Sequence, residues 1–446
     1  MEILLVQVPT SHMGAGERVY PIGLSRLAAL IPEQYGKTSL DMNLHTDPWP
    51  LLLERLQSIR PEIVALSFRN IDPLAGHQAS YISSLKSSAK MVRNLLPSTK
   101  IIAGGPAFSL FGIHLMKEIP DIDFGIVGEG ESVFIKLLQK SFNPQSIPGL
   151  IWRKGGNIHS THANQLMDLD CIPSLDTNSF CPVDYIEGNK YVASIGIEGK
   201  RGCDLSCSYC VYPCLGGYKM RLRNPQNIVD EIEILNKKFS IKLFHFTDSV
   251  VNRPPEHFEA ICLELIRRKL EINWTGFFRE DSLTEKIADF ALKAGLNSIY
   301  FSADALTKEG LKILNKGISQ EDILRAARIT SKKNILTMCH FLINLPGETK
   351  RDAAKALEML NRILDIHNPA GNLGAIIFNN IRLYPGAKIT QKLIKSRLLD
   401  PNINLIYPVY YNPPESSYLK YKLEALAHGA GIFSRLKLGK KKFIKK

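Results

Sequence analysis

The chain has 446 residues, 45% of them hydrophobic and 22% charged, with a formal net charge of +13. These are ordinary values for a soluble globular protein of two or three domains. No apolar stretch approaches the roughly 20 residues needed to span a bilayer. The opening run Ile3–Val6 is too short for a signal core and has no basic residues before it, so a cytoplasmic protein is expected.

Taken in chain order, the first elements alternate. Ile3–Val8, Ile63–Phe68, Ile101–Gly105 and Phe124–Val127 read as short apolar strands, with helical periodicity at Ile22–Ile31 and Ile82–Leu96 between them. Apolar strands separated by helices predict an α/β fold: a doubly wound, Rossmann-like parallel sheet with both faces covered. Ligands of such sheets lie beyond the carboxyl ends of the strands. Those ends carry Pro9-Thr10-Ser11, Arg69-Asn70-Ile71-Asp72, Gly104-Gly105-Pro106 and Gly128-Glu129-Gly130-Glu131.

Prolines, asparagines and a hairpin signal at Ile151–Ile158 mark residues 141–190 as a linker. A second series follows. Val192–Ile197, Leu243–Phe246, Ile272–Gly276, Ile299–Phe301, Leu336–Ile343 and Ala375–Asn379 are strand candidates, separated by helices such as 227–239, 283–294 and 321–332. Repeated βα units over 191–400 predict a full or partial (β/α) barrel with its chemistry at the strand carboxyl ends. The short remainder, 401–446, ends in a stretch (435–446) holding seven basic residues and no acidic one. Such a block reads as a solvated tail, with electrostatic docking to RNA, an anionic membrane or an acidic partner as the alternative. No firm nucleic-acid or membrane partner follows from it.

Eight cysteines would suit disulfides in a small secreted domain, but this chain is neither. Four of them crowd into 203–214, which points to metal. Cys203-Asp-Leu-Ser-Cys207-Ser-Tyr-Cys210 has the spacing C-x3-C-x2-C in the loop after the first strand of the second series. A short loop of this kind can wrap an iron–sulfur cluster so that three thiolates ligate three irons, leaving one iron open to a substrate. The alternatives are a zinc site using Cys214 as fourth ligand, or unrelated buried thiols.

This arrangement, including the aromatic Tyr209 before the last cysteine, resembles the radical S-adenosylmethionine (SAM) superfamily. The resemblance implies a 4Fe–4S cluster held by Cys203, Cys207 and Cys210, with SAM at the open iron. It continues through most of the second domain. Phe244–Asn252, with Asp248, is similar to the family's second strand, whose acidic residue faces the active site; Asp248 is accordingly a catalytic candidate, with a structural carboxylate as the alternative. Phe341–Thr349, with Gly347 and Glu348, resembles the strand and loop that contact SAM. Ser302-Ala303-Asp304 sits where relatives often carry Glu-Ser-Gly, which makes Asp304 a departure from the pattern as well as a SAM-binding candidate.

A doubly wound domain (1–140) ahead of such a barrel resembles the cobalamin-binding domain of B12-dependent radical SAM enzymes, with Asn70, Gly104, Gly105, Gly128 and Glu129 as cofactor-binding candidates. The Asp-x-His-x-x-Gly sequence that offers histidine to cobalt is absent. Ser67–Asp72 is similar to the tryptophan 2-C-methyltransferase branch, where an arginine approaches the corrin. That resemblance makes Arg69 a candidate for both cobalamin binding and catalysis, against an ion pair with a neighbour such as Asp72. The resemblance implies methyl transfer from SAM through methylcobalamin to a small-molecule or natural-product substrate, with an electron donor such as flavodoxin or ferredoxin. The alternative within the family is a B12-dependent cyclase or ring-rearranging enzyme. A methylthiotransferase lacks support because no cysteine precedes Cys171, and a binding module without turnover would not need an open iron.

Overall fold

The computed structural model describes residues 1–10, 17–73, 79–139, 142–162, 166–186 and 195–434. Ser11, residues 192–194 of the first barrel strand and the basic tail 435–446 lie outside them. The N-terminal elements are β1 (Glu2–Gln7), α1 (Ile22–Leu30), β2 (Gly36–Asp41), α2 (Trp49–Ile59), β3 (Ile63–Ser67), α3 (Ile82–Leu95), β4 (Lys100–Gly104), α4 (Pro106–Glu118), β5 (Phe124–Ile126), α5 (Gly130–Gln139), β6 (Leu150–Lys154) and β7 (Asn157–Ser160). They build one sheet of order β2-β1-β3-β4-β5-β6-β7. The first five strands are parallel; the hairpin β6–β7 adds antiparallel to β5. Its turn, Gly155-Gly156, needs positive φ at both residues (+57° and +79°), which glycine supplies without a steric penalty. The hairpin thus belongs to the first sheet rather than to the linker in which the sequence placed it. The edge strand β2, Gly-Lys-Thr-Ser-Leu-Asp, carries no apolar run to betray it, and sequence reading missed it.

The second half comprises β8 (Ile195–Ile197), β9 (Lys200–Arg201), α6 (Tyr212–Gly216), β10 (Arg221–Leu222), α7 (Pro225–Phe239), β11 (Leu243–Phe246), α8 (Pro255–Arg268), β12 (Asn273–Phe278), α9 (Glu285–Lys293), β13 (Leu296–Asp304), α10 (Lys308–Ile313), α11 (Gln320–Lys332), β14 (Leu336–Ile343), α12 (Lys350–His367), β15 (Leu373–Arg382), α13 (Lys388–Lys395), β16 (Tyr410–Tyr411) and α14 (Tyr418–Gly429). The sheet order is β16-β15-β14-β13-β12-β11-β8, parallel from β8 to β15, a curled partial barrel with β8 and β16 at its edges. Reciprocal capping boxes, Ser319 with Asp322 and Thr349 with Asp352, start α11 and α12 cleanly after their loops. Among the described residues, no helix is long and apolar enough to cross a membrane.

The carboxyl ends of the two sheets face each other. Asp72, just past β3, pairs with Arg382, the last residue of β15, at 2.9 Å, and both side chains are buried. One apolar core runs without a break from Ile3 and Leu5 of the first sheet, through Leu24, Leu27 and Phe180, to Ile195 and Ile228 of the second. A second core on the other face of the first sheet takes in Ile406 from beyond the barrel.

Between the barrel strands and helices α11 and α12, a cavity of about 10 Å³ is lined by Glu280, Phe301, Ala303, Cys339 and His367. Glu280 is 1% exposed, and among the described residues neither carboxyl oxygen has a hydrogen-bond partner. Burial pushes this carboxyl from its ordinary 4.5 up to about 7. A carboxyl held neutral in the fold opposes folding increasingly as pH rises from about 4.5 through 7. Glu280→Gln is therefore expected to gain stability over the native chain at pH 8, by up to about 3 kcal/mol. At pH 5 the gain should be much smaller. Denaturant unfolding at the two pH values measures it; equal gains at both would show that Glu280 does not titrate in this way.

Candidate active site between the two sheets

The cysteine loop is pinned at its base by close backbone approach. Gly202 adopts φ +84°, and a Cβ there would lie 2.1 Å from the Lys219 carbonyl oxygen, so only glycine fits. Cys203 N–H donates to Gly217 O (3.0 Å) and Cys210 N–H to Cys207 O (3.3 Å). Cys210 Sγ accepts from Tyr212 N–H at 3.4 Å. The loop's middle is held by the segment after β13: Ser208 donates to Leu314 O (2.8 Å, backbone) and Ile313 O (2.9 Å, hydroxyl), and Asn315 to Ser206 O (2.9 Å).

Cys203 is buried, Cys207 and Cys210 are half-buried, and Cys214 is exposed beside Tyr218. Burial pushes the Cys210 thiol up to about 12, with Cys207 and Cys203 adding to the rise. Burial raises Cys207 as well, against the pull of Lys316. A positive centre beside Cys207 and Cys210 would offset this burial and favour their thiolates. Among the described residues, no three His, Cys, Asp or Glu side chains converge on a single-ion site. A cubane spreads its thiolates over separate irons, so the donor set fits that group better than zinc.

The remaining barrel candidates serve the frame around this loop. Asp248, the catalytic candidate with a structural carboxylate as its alternative, lies at the base of the cysteine loop. Its side chain is wholly buried, with Oδ1 accepting from Gly199 N–H (2.7 Å) and Lys200 N–H (3.1 Å), and Lys200 Nζ 3.6 Å from Oδ2. Tyr209 donates its hydroxyl to Asp304, which also pairs with Lys316 at 2.5 Å. Glu348 accepts from the Thr307 hydroxyl (2.7 Å) and Leu345 N–H (3.0 Å), closing the β14 loop onto the start of α10. Gly347, with φ +98°, faces open space. On the face of the sheet opposite the core, His245, Phe277, Tyr300 and His340 stack edge to edge, a ring cluster that alternation in the strands contained but the sequence reading passed over. Burial pushes His245 down to about 4, so its imidazole is neutral at physiological pH.

At the first sheet's carboxyl ends, Gly105 is held at φ +99°, where a Cβ would lie 2.8 Å from Phe68 O. Gly104, Asn70 and Gly128 are half-buried beside it. Arg69 is 29% exposed and pairs with Glu17 at 2.7 Å, not with Asp72, whose carboxylate goes to Arg382. Glu129, a cofactor-binding candidate, is tied to the barrel side. It binds Arg221 and the Met167 N–H (2.9 Å), while Arg201 lies 3.6 Å from it and reaches Glu131 at 2.6 Å. Arg201 and Arg221 flank the cysteine loop on both sides. Behind them, Arg26 pairs with Glu231 (3.1 Å) and Glu198 (3.7 Å), and Arg223 with Glu231 (3.2 Å).

Residues 197–360 match the family model for the radical SAM superfamily, and residues 14–138 match that for the B12-binding domain. The chain therefore carries a B12-binding domain followed by a radical SAM domain. An uncharacterized methyltransferase of Pyrococcus horikoshii is 24% identical over 408 residues, covering 90% of this chain and 84% of that protein. The tryptophan 2-C-methyltransferase of Streptomyces laurentii is 24% identical over 70% of this chain and 62% of its own length. The anaerobic magnesium-protoporphyrin IX monomethyl ester cyclase of Rubrivivax gelatinosus is 27% identical over 69% of this chain, which spans 55% of that protein. Among solved structures, the radical SAM methyltransferase TsrM from Kitasatospora setae, with tryptophan and a SAM analogue bound, superposes with TM-score 0.75. The two are 22% identical, with 96% of this chain and 83% of that one covered. Across both domains the chain thus shares the fold of that structure.

Two outcomes follow. Anaerobically reconstituted protein should hold about four irons, and the Cys203/Cys207/Cys210 triple alanine variant should lose the visible absorbance; a triple variant that keeps it refutes the ligand assignment. Glu129→Ala leaves buried Arg221 without its carboxylate and should cost about 3–5 kcal/mol in denaturant unfolding. A loss under about 1 kcal/mol would mean that the pair behaves like a surface bridge.

Proposed function

We propose that this protein moves a methyl group from SAM, by way of cobalamin, to a carbon or phosphorus of a small-molecule substrate. The observation that carries this reading is the opposition of the two sheets' carboxyl ends across buried ion pairs. A group held by the loops Arg69–Asp72, Gly104–Pro106 and Gly128–Glu131 would lie across from the cysteine loop, whose rims Arg201 and Arg221 tie to Glu131 and Glu129. When bound, cobalamin supplies a metal centre that accepts and hands on a methyl group, and the cluster supplies an electron to SAM. The chain's own residues bind and exclude. Gly105 lets the loop after β4 lie directly on the Phe68 backbone, which sets the floor of the strand-end loops. The Asp72–Arg382 and Glu129–Arg221 pairs close the seam against water. Arg69, at the rim and half-exposed, presents a permanent positive charge toward that space. The domain limits we propose are 1–160 for the cobalamin side, with its hairpin, and 195–400 for the barrel. An electron donor of the flavodoxin or ferredoxin class completes the system.

The cyclase relatives support a second reading, in which the product gains a ring rather than a methyl group. Anaerobic incubation with SAM labelled in its methyl group, followed by mass spectrometry of a metabolite extract, separates the two, since methyl transfer puts the label into the product. In the same assay Arg69→Ala should slow transfer at least about tenfold, on the scale of losing one charged group near a reacting centre. Cobalamin and iron content should stay unchanged. A native rate in Arg69→Ala would leave Arg69 only as the partner of Glu17.

A further inference from the structure

Lys316 is no site candidate in the sequence, yet it and its neighbour Asn315 hold the cysteine loop. Its ammonium is buried, 2.5 Å from Asp304 Oδ2 and 3.3 Å from the Tyr209 hydroxyl, and 5.9 Å from the centre of the Tyr209 ring. Its backbone is fixed too: Lys316 O accepts from Arg279 NH2 at 2.7 Å, and Lys316 N–H donates to Leu311 O at 3.0 Å. Asp304 holds φ +61°, a left-handed conformation that a non-glycine residue keeps only when its surroundings enforce it. The pair is therefore a built feature, with both side chains 9% exposed. Tyr209, which contacts both members of the pair, lies between Cys207 and Cys210 in the loop, and Asn315, next to Lys316, holds Ser206 O just before Cys207, so the pair stands against the cluster ligands.

We propose that Lys316 and Asp304 form a counter-charge pair that sets how readily a cluster on Cys203, Cys207 and Cys210 takes up an electron, with Lys316 the positioning residue for Tyr209. This rests on the cluster reading of the three cysteines. It also reassigns Asp304. A carboxylate already bound by an ammonium and a phenol is committed to the loop, not free to hold the amino group of SAM.

The reasoning is electrostatic. Reduction by a one-electron protein donor adds one negative charge to the cluster. In a desolvated site a fixed positive charge favours the reduced form and a fixed negative charge opposes it. The two members of the pair should thus act with opposite sign, which a merely structural pair would not do.

The experiment is a redox titration of anaerobically reconstituted full-length protein, followed by electron paramagnetic resonance, with and without SAM. Lys316→Met should shift the cluster midpoint potential down and Asp304→Asn should shift it up. The double variant should return close to the native value, and Lys316→Arg should hold it. Lys316→Met and the double variant should also change the signal of the SAM-bound cluster, because Tyr209 is released. Should Lys316→Met fail to retain iron, Asp304→Asn and Lys316→Arg decide alone, since both keep the positive charge. No upward shift in Asp304→Asn, or a downward shift in Lys316→Arg equal to that expected from charge loss, overturns the proposal. Native protein that binds no iron overturns the cluster reading instead, so the two failures are distinguishable.

Discussion

Everything at the centre of this protein depends on opposite charges being buried between two sheets. Glu129 and Glu131 come from the end of β5, and Arg201 and Arg221 from the two rims of the cysteine loop. Their side chains are between 5% and 18% exposed. A buried charge without its partner is costly, so the register of one sheet against the other is narrowly specified. Arg26, Glu198, Arg223 and Glu231 continue the network behind the loop, and Asp72–Arg382 repeats the device at the far side of the seam. The cysteine loop is short and irregular, with no regular structure between Gly202 and α6 to hold it. It is kept in shape by what it is tied to: the cobalamin-side loop at its rims and the Asp304–Asn315 segment in its middle.

Much of the architecture was legible because parallel strands covered on both faces read as apolar runs. Ile63–Ser67 and Leu336–Ile343 declare themselves in this way, and the strands found there agree with those runs to within a residue. Gly155-Gly156 between two β-prone segments declared a hairpin. The sequence could not say where that hairpin would dock, since the edge of β5 is defined only once the first sheet exists. Strand β2 was hidden for the opposite reason, being a polar edge strand with little to bury along most of its length.

The site divides along the same line. Cys203, Cys207 and Cys210 announce themselves because their spacing is local. The groups that decide the electrostatics do not: Glu129 meets Arg221 across 92 positions, and Asp72 meets Arg382 across 310. Acidic residues in a glycine-rich strand-end loop look like ligand contacts when their distant arginines are out of view, and the sequence alone offers Glu129 only in that role. Asp248 and Glu348 show the same division. The family motif fixes their position, but only the fold shows their carboxylates spent on Gly199, Lys200, Thr307 and Leu345.

The unbroken apolar core has a consequence for traffic. Many two-domain enzymes admit large ligands by swinging their halves apart about a linker. Here Leu24, Leu27 and Phe180 lie within a core shared by both sheets, so such a swing would expose apolar surface and unpaired charge at once. The two sheets are therefore held as one block, and ligands bound at their facing carboxyl ends have to enter without a hinge opening.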